Sequence, residues 1–242
     1  MRKKNNMKKC KNCNKELTKI QITKKNIFCC KSYATSFRQK AHDPDVSKIE
    51  DKDLVFYILG LIWSDGNLTK EEDKISINSN DLDLLQMLYP KFSDTNKRII
   101  YTYKKSNTII NTNNNFIAYC KKYGLCLNKS RIITFPPIPK KYYYSFIRGV
   151  FDGDGSVYIQ GKYKNNIYLG VTILSANKLF LIPIQNIFLE NNIESNIIKD
   201  CRGSVYCLKI YKQKSIKNFY NFIYNNTSYY LKRKKEKFSL KI

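Results

Sequence analysis

The chain has 242 residues, with 44 Lys+Arg against 19 Asp+Glu and a formal net charge of +25. Its 43% hydrophobic content supplies a core and excludes a disordered chain. No apolar run approaches the roughly 18–20 residues that cross a bilayer, and the basic start, Met1 to Cys10, lacks the apolar stretch of a secretory signal. The expectation is an intracellular protein, of cytoplasm or organelle matrix, whose charge seeks a polyanion: nucleic acid ahead of a membrane surface. The single histidine, His42, excludes two-histidine metal motifs and leaves Ser-His-Asp catalysis little to stand on.

Residues 1–40 form a Cys/Lys-rich head with 13 basic residues against one acidic. Cysteines stand at 10 and 13 and again at 29 and 30; in a basic intracellular chain they are expected to be reduced. Residues 41–50, around His42-Asp43-Pro44-Asp45, read as a linker. The body divides into 51–140 and 141–242. Its start is acidic, with 12 acids against five bases over 41–94, and the rest is basic, with 26 bases against six acids over 95–242.

Two stretches of the body repeat. Tyr57-Ile-Leu-Gly60-Leu-Ile-Trp63-Ser64-Asp65-Gly66 is echoed by Phe146-Ile-Arg-Gly149-Val-Phe-Asp152-Gly153-Asp154-Gly155. Gly60 to Gly149 and Asp65 to Asp154 share one offset, which marks a duplicated domain rather than a short repeat unit. Each copy reads as an apolar helix ending in Asp-Gly, with Gly66 and Gly155 suited to a left-handed stop. After the first copy come strand-like Ile75–Asn78, helix-like Asp81–Leu88, strand-like Arg98–Lys104 and helix-like Asn114–Tyr123. After the second, Val157 and Ile159 alternate with polar residues, as do Ile167, Leu169, Val171 and Ile173, and residues 162–166 suit a hairpin turn. Helical runs follow at Asn177–Asn191, which Pro183 should break or kink, at Ser215–Tyr224, and at Ser228–Phe238. The pattern is α+β, a duplicated α-β-β-α-β-β-α unit with helices on one sheet face and the other face open to a partner.

Glycine inside a helix costs about 1 kcal/mol against alanine. Tolerating it twice, at Gly60 and Gly149, points to two helices in close contact across a pseudo-twofold axis. Asp65 and Asp154 would then lie side by side at the helix ends. Two adjacent carboxylates repel unless a cation intervenes, and helix C-termini add partial negative charge and free carbonyls. That donor set suits a hard divalent ion, Mg²⁺ or Mn²⁺, and beside a basic surface it suits phosphodiester hydrolysis.

Residues 57–68 and 146–157 resemble the two motifs of LAGLIDADG homing endonucleases of the monomeric, two-motif type. The second copy matches well; in the first, Trp63 and Ser64 replace an acid and a small residue. The likeness extends over most of residues 50–242, including Asn128-Lys129-Ser130 before Pro136-Pro137 and the terminal Tyr230-Leu231-Lys232-Arg233-Lys234. It implies a saddle-shaped antiparallel platform and a site-specific double-strand DNA endonuclease, often intron- or intein-associated. It also implies that Asp65 and Asp154 hold the metal while Asp152 takes a non-catalytic position. Lys129 and Lys234 are the candidates to stabilise transition-state charge, one per half. Ser156, Tyr158, Gln160 and Tyr168, opposite the apolar face, are the candidates to read base edges, with Lys162 and Lys164 at the hairpin tip on the backbone. The head resembles a small zinc ribbon in which Tyr33 replaces the last cysteine. Two readings stay open: a Zn²⁺ site on Cys10, Cys13, Cys29 and Cys30, or a metal-free basic arm on DNA. The competing reading for the whole chain is a DNA- or RNA-binding protein on the same scaffold that does not cut, a regulator or an intron maturase.

Overall fold

The computed structural model describes residues 8–10, 13–24, 26, 29–30, 43–94, 100–101, 106–164, 166–200, 203–225 and 227–240. His42, Cys201, the knuckle residues Lys31, Ser32 and Tyr33, and most of the run 98–104 lie outside them. The chain divides into two units, residues 1–43 and 44–242.

Among the described residues of the first unit a turn precedes a short helix, α1 (Lys19–Thr23). Thr18 accepts from the Gln21 backbone N–H and the Gln21 side chain accepts from the Thr18 N–H, so the helix start satisfies its own donors. Cys10 and Leu17 are buried together, with Ile22 and Cys29 packed on them.

The second unit opens on a 3₁₀ turn, Val46–Lys48. Val46 is fully buried in the main core and Asn111 Nδ2 donates to Pro44 O (2.9 Å), so residues 44–49, expected as linker, are docked on the body. The first half then runs α2 (Lys52–Ser64), β1 (Gly66–Leu68), β2 (Ile75–Ser79), α3 (Leu82–Phe92), β3 (Ile100–Tyr101), β4 (Asn107–Asn111) and α4 (Asn114–Lys122). The second runs α5 (Tyr143–Asp154), β5 (Gly155–Tyr163), β6 (Asn166–Ser175), α6 (Lys178–Glu190), β7 (Asn196–Lys199), β8 (Tyr206–Ile210) and α7 (Gln213–Tyr224), and α8 (Lys232–Phe238) is added at the end. The fold is α+β and duplicated: each half makes a four-stranded antiparallel sheet, ordered β1-β2-β4-β3 in one and β5-β6-β8-β7 in the other.

α2 is buried on all sides from Leu54 to Trp63. Such a helix belongs at a centre rather than on a surface. Asp51 caps its start by accepting from Leu54 N–H (3.3 Å). α5 lies against it. Leu68, Ile75, Ile77 and Ile109 of the first sheet and Val157, Leu169, Val171, Ile173 and Leu208 of the second turn inward on the helices. Each such side chain contributes about 1.5–3 kcal/mol relative to exposure.

Three local expectations are corrected, and two strands lacked a sequence signal. α6 continues through Pro183, whose missing N–H orphans only the carbonyl of the exposed Leu179. β1 and β4 had no clear signal, the first being three residues long and the second reading NTIIN. Gly66 and Gly155 do not adopt left-handed φ; Gly155 is extended (φ −93°) and both begin strands. They are glycines for lack of room: a Cβ on Gly66 would stand 2.5 Å from Ile62 Cα, and one on Gly155 would stand 2.2 Å from Phe151 Cδ2. Finally, β5 carries a bulge between Ile159 and Gly161 that interrupts the strict alternation, and Ile159 is 46% exposed.

Candidate metal centre and nucleic-acid face

Gly60 and Gly149 meet where α2 crosses α5. A Cβ on Gly60 would lie 2.1 Å from Phe146 O and 2.9 Å from Gly149 Cα; one on Gly149 would lie 2.2 Å from Tyr57 O. Backbone therefore touches backbone at this crossing, and no larger residue fits. The helices run on in register to their C-terminal ends, where Asp65 caps α2 and Asp154 closes α5.

The two carboxylates sit within each other's field. Desolvation, then the negative charge of Asp65, push the Asp154 carboxyl up to about 6. Asp154 is open to solvent on one side, which screens part of the desolvation. Desolvation raises Asp65 too, against the pull of Lys234 and Lys129. Gly153 lies between the two helix ends: a Cβ there would stand 2.0 Å from Ser64 Oγ and 3.1 Å from Asp65 Oδ2.

The free helix-end carbonyls expected from sequence are occupied. Lys129 Nζ donates to Trp63 O (2.8 Å) and Ser64 O (2.7 Å). Lys234 Nζ donates to Phe151 O (2.8 Å), Asp152 O (2.7 Å) and Gly153 O (3.1 Å). Each half thus turns one buried ammonium onto the C-terminus of its own motif helix, where positive charge complements the dipole. Desolvation pulls the Lys234 ammonium down to about 8 and lowers Lys129, while Asp65 and Asp154 hold both up. The charged oxygens at this centre are those of the Asp65 and Asp154 carboxylates.

Asp152 is wholly buried, away from solvent. Oδ2 accepts from Tyr57 OH and from Leu231 N–H (both 2.8 Å), and Oδ1 from Tyr224 OH (3.2 Å). Burial pushes its carboxyl up to about 6 against these donors. Leu231 starts α8, so Asp152 positions the helix that carries Lys234. In the first half the equivalent position is Trp63, whose Nε1–H donates to Thr134 O (3.1 Å) while its ring meets Phe146 edge-on. The substitution keeps a tie from helix end to closing segment and reverses its polarity. A cavity of about 300 Å³ opens beside this end, lined by Ser64, Lys129, Ser130 and Asp154 among others.

The open face of the second sheet carries Ser156 and Tyr158, paired with Thr172 and Gly170, and then Tyr168. Gln160 is the unpaired bulge residue. Beyond it the parity flips, so Tyr163 joins this face and Lys162, paired with Ile167, lies on the opposite one. Lys164 sits at the hairpin with φ +52° and its ammonium over the Tyr163 ring. Lys209, paired with Thr172, extends the same face. On the first sheet Asn67, Ser76 and Asn78 stand opposite the apolar side, and the buried Thr108 donates to Asn78 Oδ1 (2.6 Å). These residues were missed in the sequence, although Asn67 and Ser76-Asn78 alternate visibly with Leu68 and Ile75-Ile77.

In the head the sulfurs of Cys10, Cys13 and Cys29 lie within 4.8 Å of one another, and Cys30 is exposed and outside that group. Cys120 and Cys207 are buried, and Cys126 is half-buried.

The model of the LAGLIDADG-like domain matches residues 141–224. Among solved structures the chain is similar to the I-LtrWI LAGLIDADG homing endonuclease bound to target DNA, at 14% identity over 78% of this chain and 88% of that one, with a TM-score of 0.57. It is similar to an I-DmoI variant in complex with its target DNA in the presence of magnesium, at 18% identity, 76% and 99% coverage and a TM-score of 0.50. It is also similar to the full-length DUF199/WhiA protein from Thermatoga maritima, at 18% identity, 81% and 62% coverage and a TM-score of 0.50. No curated protein matches the sequence. The body therefore has the LAGLIDADG fold, and its second half contains a LAGLIDADG-like domain. No helix among the described residues is long and apolar enough to cross a membrane.

Proposed function

We propose that the chain is a site-specific double-strand DNA endonuclease of the homing type, working inside the cell as a monomer with internal pseudo-twofold symmetry. The observation that carries this reading is the pairing of Asp65 with Asp154 at the ends of two helices that touch through Gly60 and Gly149. Mutually repelling acids held together serve a cation better than they serve stability. Two carboxylates without sulfur or imidazole fit a hard ion, Mg²⁺ or Mn²⁺. Bound there, such an ion supplies water activation and charge neutralisation at a phosphate. Lys129 and Lys234 hold the helix ends rigid and place two positive charges near both acids. Ser156, Tyr158, Gln160 and Tyr168 offer hydroxyls, an amide and aromatic edges to bases, while Lys164 meets the backbone from the hairpin tip; Lys162, expected beside it, falls on the opposite face after the bulge. The solved relatives that carry target DNA support the same orientation of function.

The test is cleavage of a plasmid library with randomised targets in Mg²⁺ or Mn²⁺. Cutting that disappears in Asp65→Asn and in Asp154→Asn is the expected result. Cutting that survives both substitutions removes the catalytic assignment. The competing reading, a non-cleaving DNA- or RNA-binding protein, draws on the DUF199/WhiA likeness and on Lys234, whose three N–H groups are all spent on carbonyls. Tight binding without cleavage of any target favours it.

A further inference from the structure

The head contains a site that the nuclease reading of the body does not use. Among its described residues, buried apolar side chains are Cys10 and Leu17, and α1 is five residues long. That pair of side chains and a helix that short do not by themselves hold the described turn in place. Yet its backbone is tightly organised. Cys10 N–H donates to Lys15 O (2.8 Å), Asn14 N–H to Cys10 O (3.0 Å), and Leu17 N–H to Lys8 O (2.9 Å). Asn14 takes a left-handed φ of +57° to close this turn. The turn brings Cys10 and Cys13 to one side. Gln21 Nε2, donating to Cys29 O (2.6 Å), draws the third cysteine to the same point.

The sulfur geometry selects the occupant. Cys13 Sγ and Cys29 Sγ are 3.6 Å apart, and all three sulfurs lie within 4.8 Å of one another. A tetrahedral Zn²⁺ with Zn–S bonds of about 2.3 Å sets its sulfurs about 3.8 Å apart. A disulfide needs about 2.05 Å and would leave the third thiol over. Thirteen basic residues in positions 1–40 give the head a positive charge that offsets the net negative charge of a three-thiolate zinc centre. The neighbouring Cys30 is exposed and its sulfur is not part of the group.

We propose that Cys10, Cys13 and Cys29 bind one Zn²⁺ as thiolates, that Cys30 is not a ligand, and that this ion completes the fold of the head. Three protons leave the thiols as the ion binds. The fourth position takes a nitrogen or oxygen donor. This proposal narrows the four-cysteine set expected from sequence, and it stands whether or not the body cuts DNA.

The experiment uses the full chain purified under reducing conditions with Zn²⁺. One zinc per chain is expected, with an X-ray absorption first shell of three sulfurs and one lighter atom. Cys30→Ser should keep the metal, and Cys10→Ser, Cys13→Ser and Cys29→Ser should each lose it. To separate metal loss from misfolding of those variants, the wild-type chain is also treated with a zinc chelator. Limited proteolysis should then cut residues 1–43 at least tenfold faster while the body stays intact, and added Zn²⁺ should restore protection. A protein without zinc, a four-sulfur shell, loss of metal in Cys30→Ser, or a head whose proteolysis ignores the chelator overturns the proposal.

Discussion

Arg148 of α5 reaches Asp53, in the first turn of α2, through Nη2–Oδ2 contact at 2.7 Å. Arg148 is fully buried, over the rings of Tyr57 and Tyr144, and its Nη1 donates to Ile223 O (3.0 Å). Asp53 also accepts from Ser145 Oγ and Thr227 Oγ1. By the Gly60–Gly149 offset, the counterparts of Arg148 and Asp53 are Leu59 and Tyr142. The ion pair therefore occurs at one of two pseudo-equivalent places. It makes the interface between the halves heterologous: pairing two copies of the second half would bury Arg148 against tyrosine.

Asp53→Ser should lower unfolding free energy by about 3–5 kcal/mol, because the fully buried Arg148 is left without its counter-charge. Adding Arg148→Met should cost far less than its effect alone. Urea denaturation of the four proteins in the cycle measures this, and additive losses would show that the two residues act independently.

Gly153→Ala should cost about 1–3 kcal/mol, since the new methyl meets Ser64 Oγ and Cβ. Ser64→Gly in the same chain should recover most of that loss by vacating the space. Thermal melts of the single and double variants decide it. The sequence announced Ser64 as a departure from the motif; its consequence for the opposite helix appears only in the packed pair.

The lysine caps should differ in weight. Lys234→Met leaves three carbonyls without their donor and Lys129→Met leaves two. With hydrogen bonds to charged groups worth about 1.5–3 kcal/mol, losses of about 4 and about 3 kcal/mol are expected. Equal effects by chemical denaturation would remove the distinction.

Asp152 sets a pH dependence. Its folded pKa, about 6, lies above its ordinary value, so the folded state binds the proton more tightly. Its contribution to stability grows as pH falls through 6 and is full below the unfolded value near 4. Wild type should gain on the order of 3 kcal/mol relative to Asp152→Asn between pH 7 and pH 4. Asparagine keeps an acceptor for Tyr57 and Leu231, so its curve should be flatter there. Parallel curves for the two proteins, measured by urea titration at each pH, would contradict this.

Under the endonuclease reading, Lys164→Ala should reduce the slope of log affinity against log salt by about 1, uniformly across DNA sequences. Tyr158→Ala should instead alter the preference at particular base pairs. Fluorescence anisotropy at several salt concentrations separates the two.

Sequence alone determined the duplicated helices, because Gly60/Gly149 and Asp65/Asp154 repeat at one offset and apolar periodicity is local. It also carried the α+β order, the basic charge and the motif resemblance. Tertiary structure decided which sulfurs converge, which carbonyls Lys129 and Lys234 occupy, that Arg148 and Asp53 pair once, and how Gln160 turns the parity of β5. Each joins residues far apart in the chain or depends on the partner strand. Chain-local propensity holds no information about such meetings, and only packing chooses among the contacts that each side chain can make.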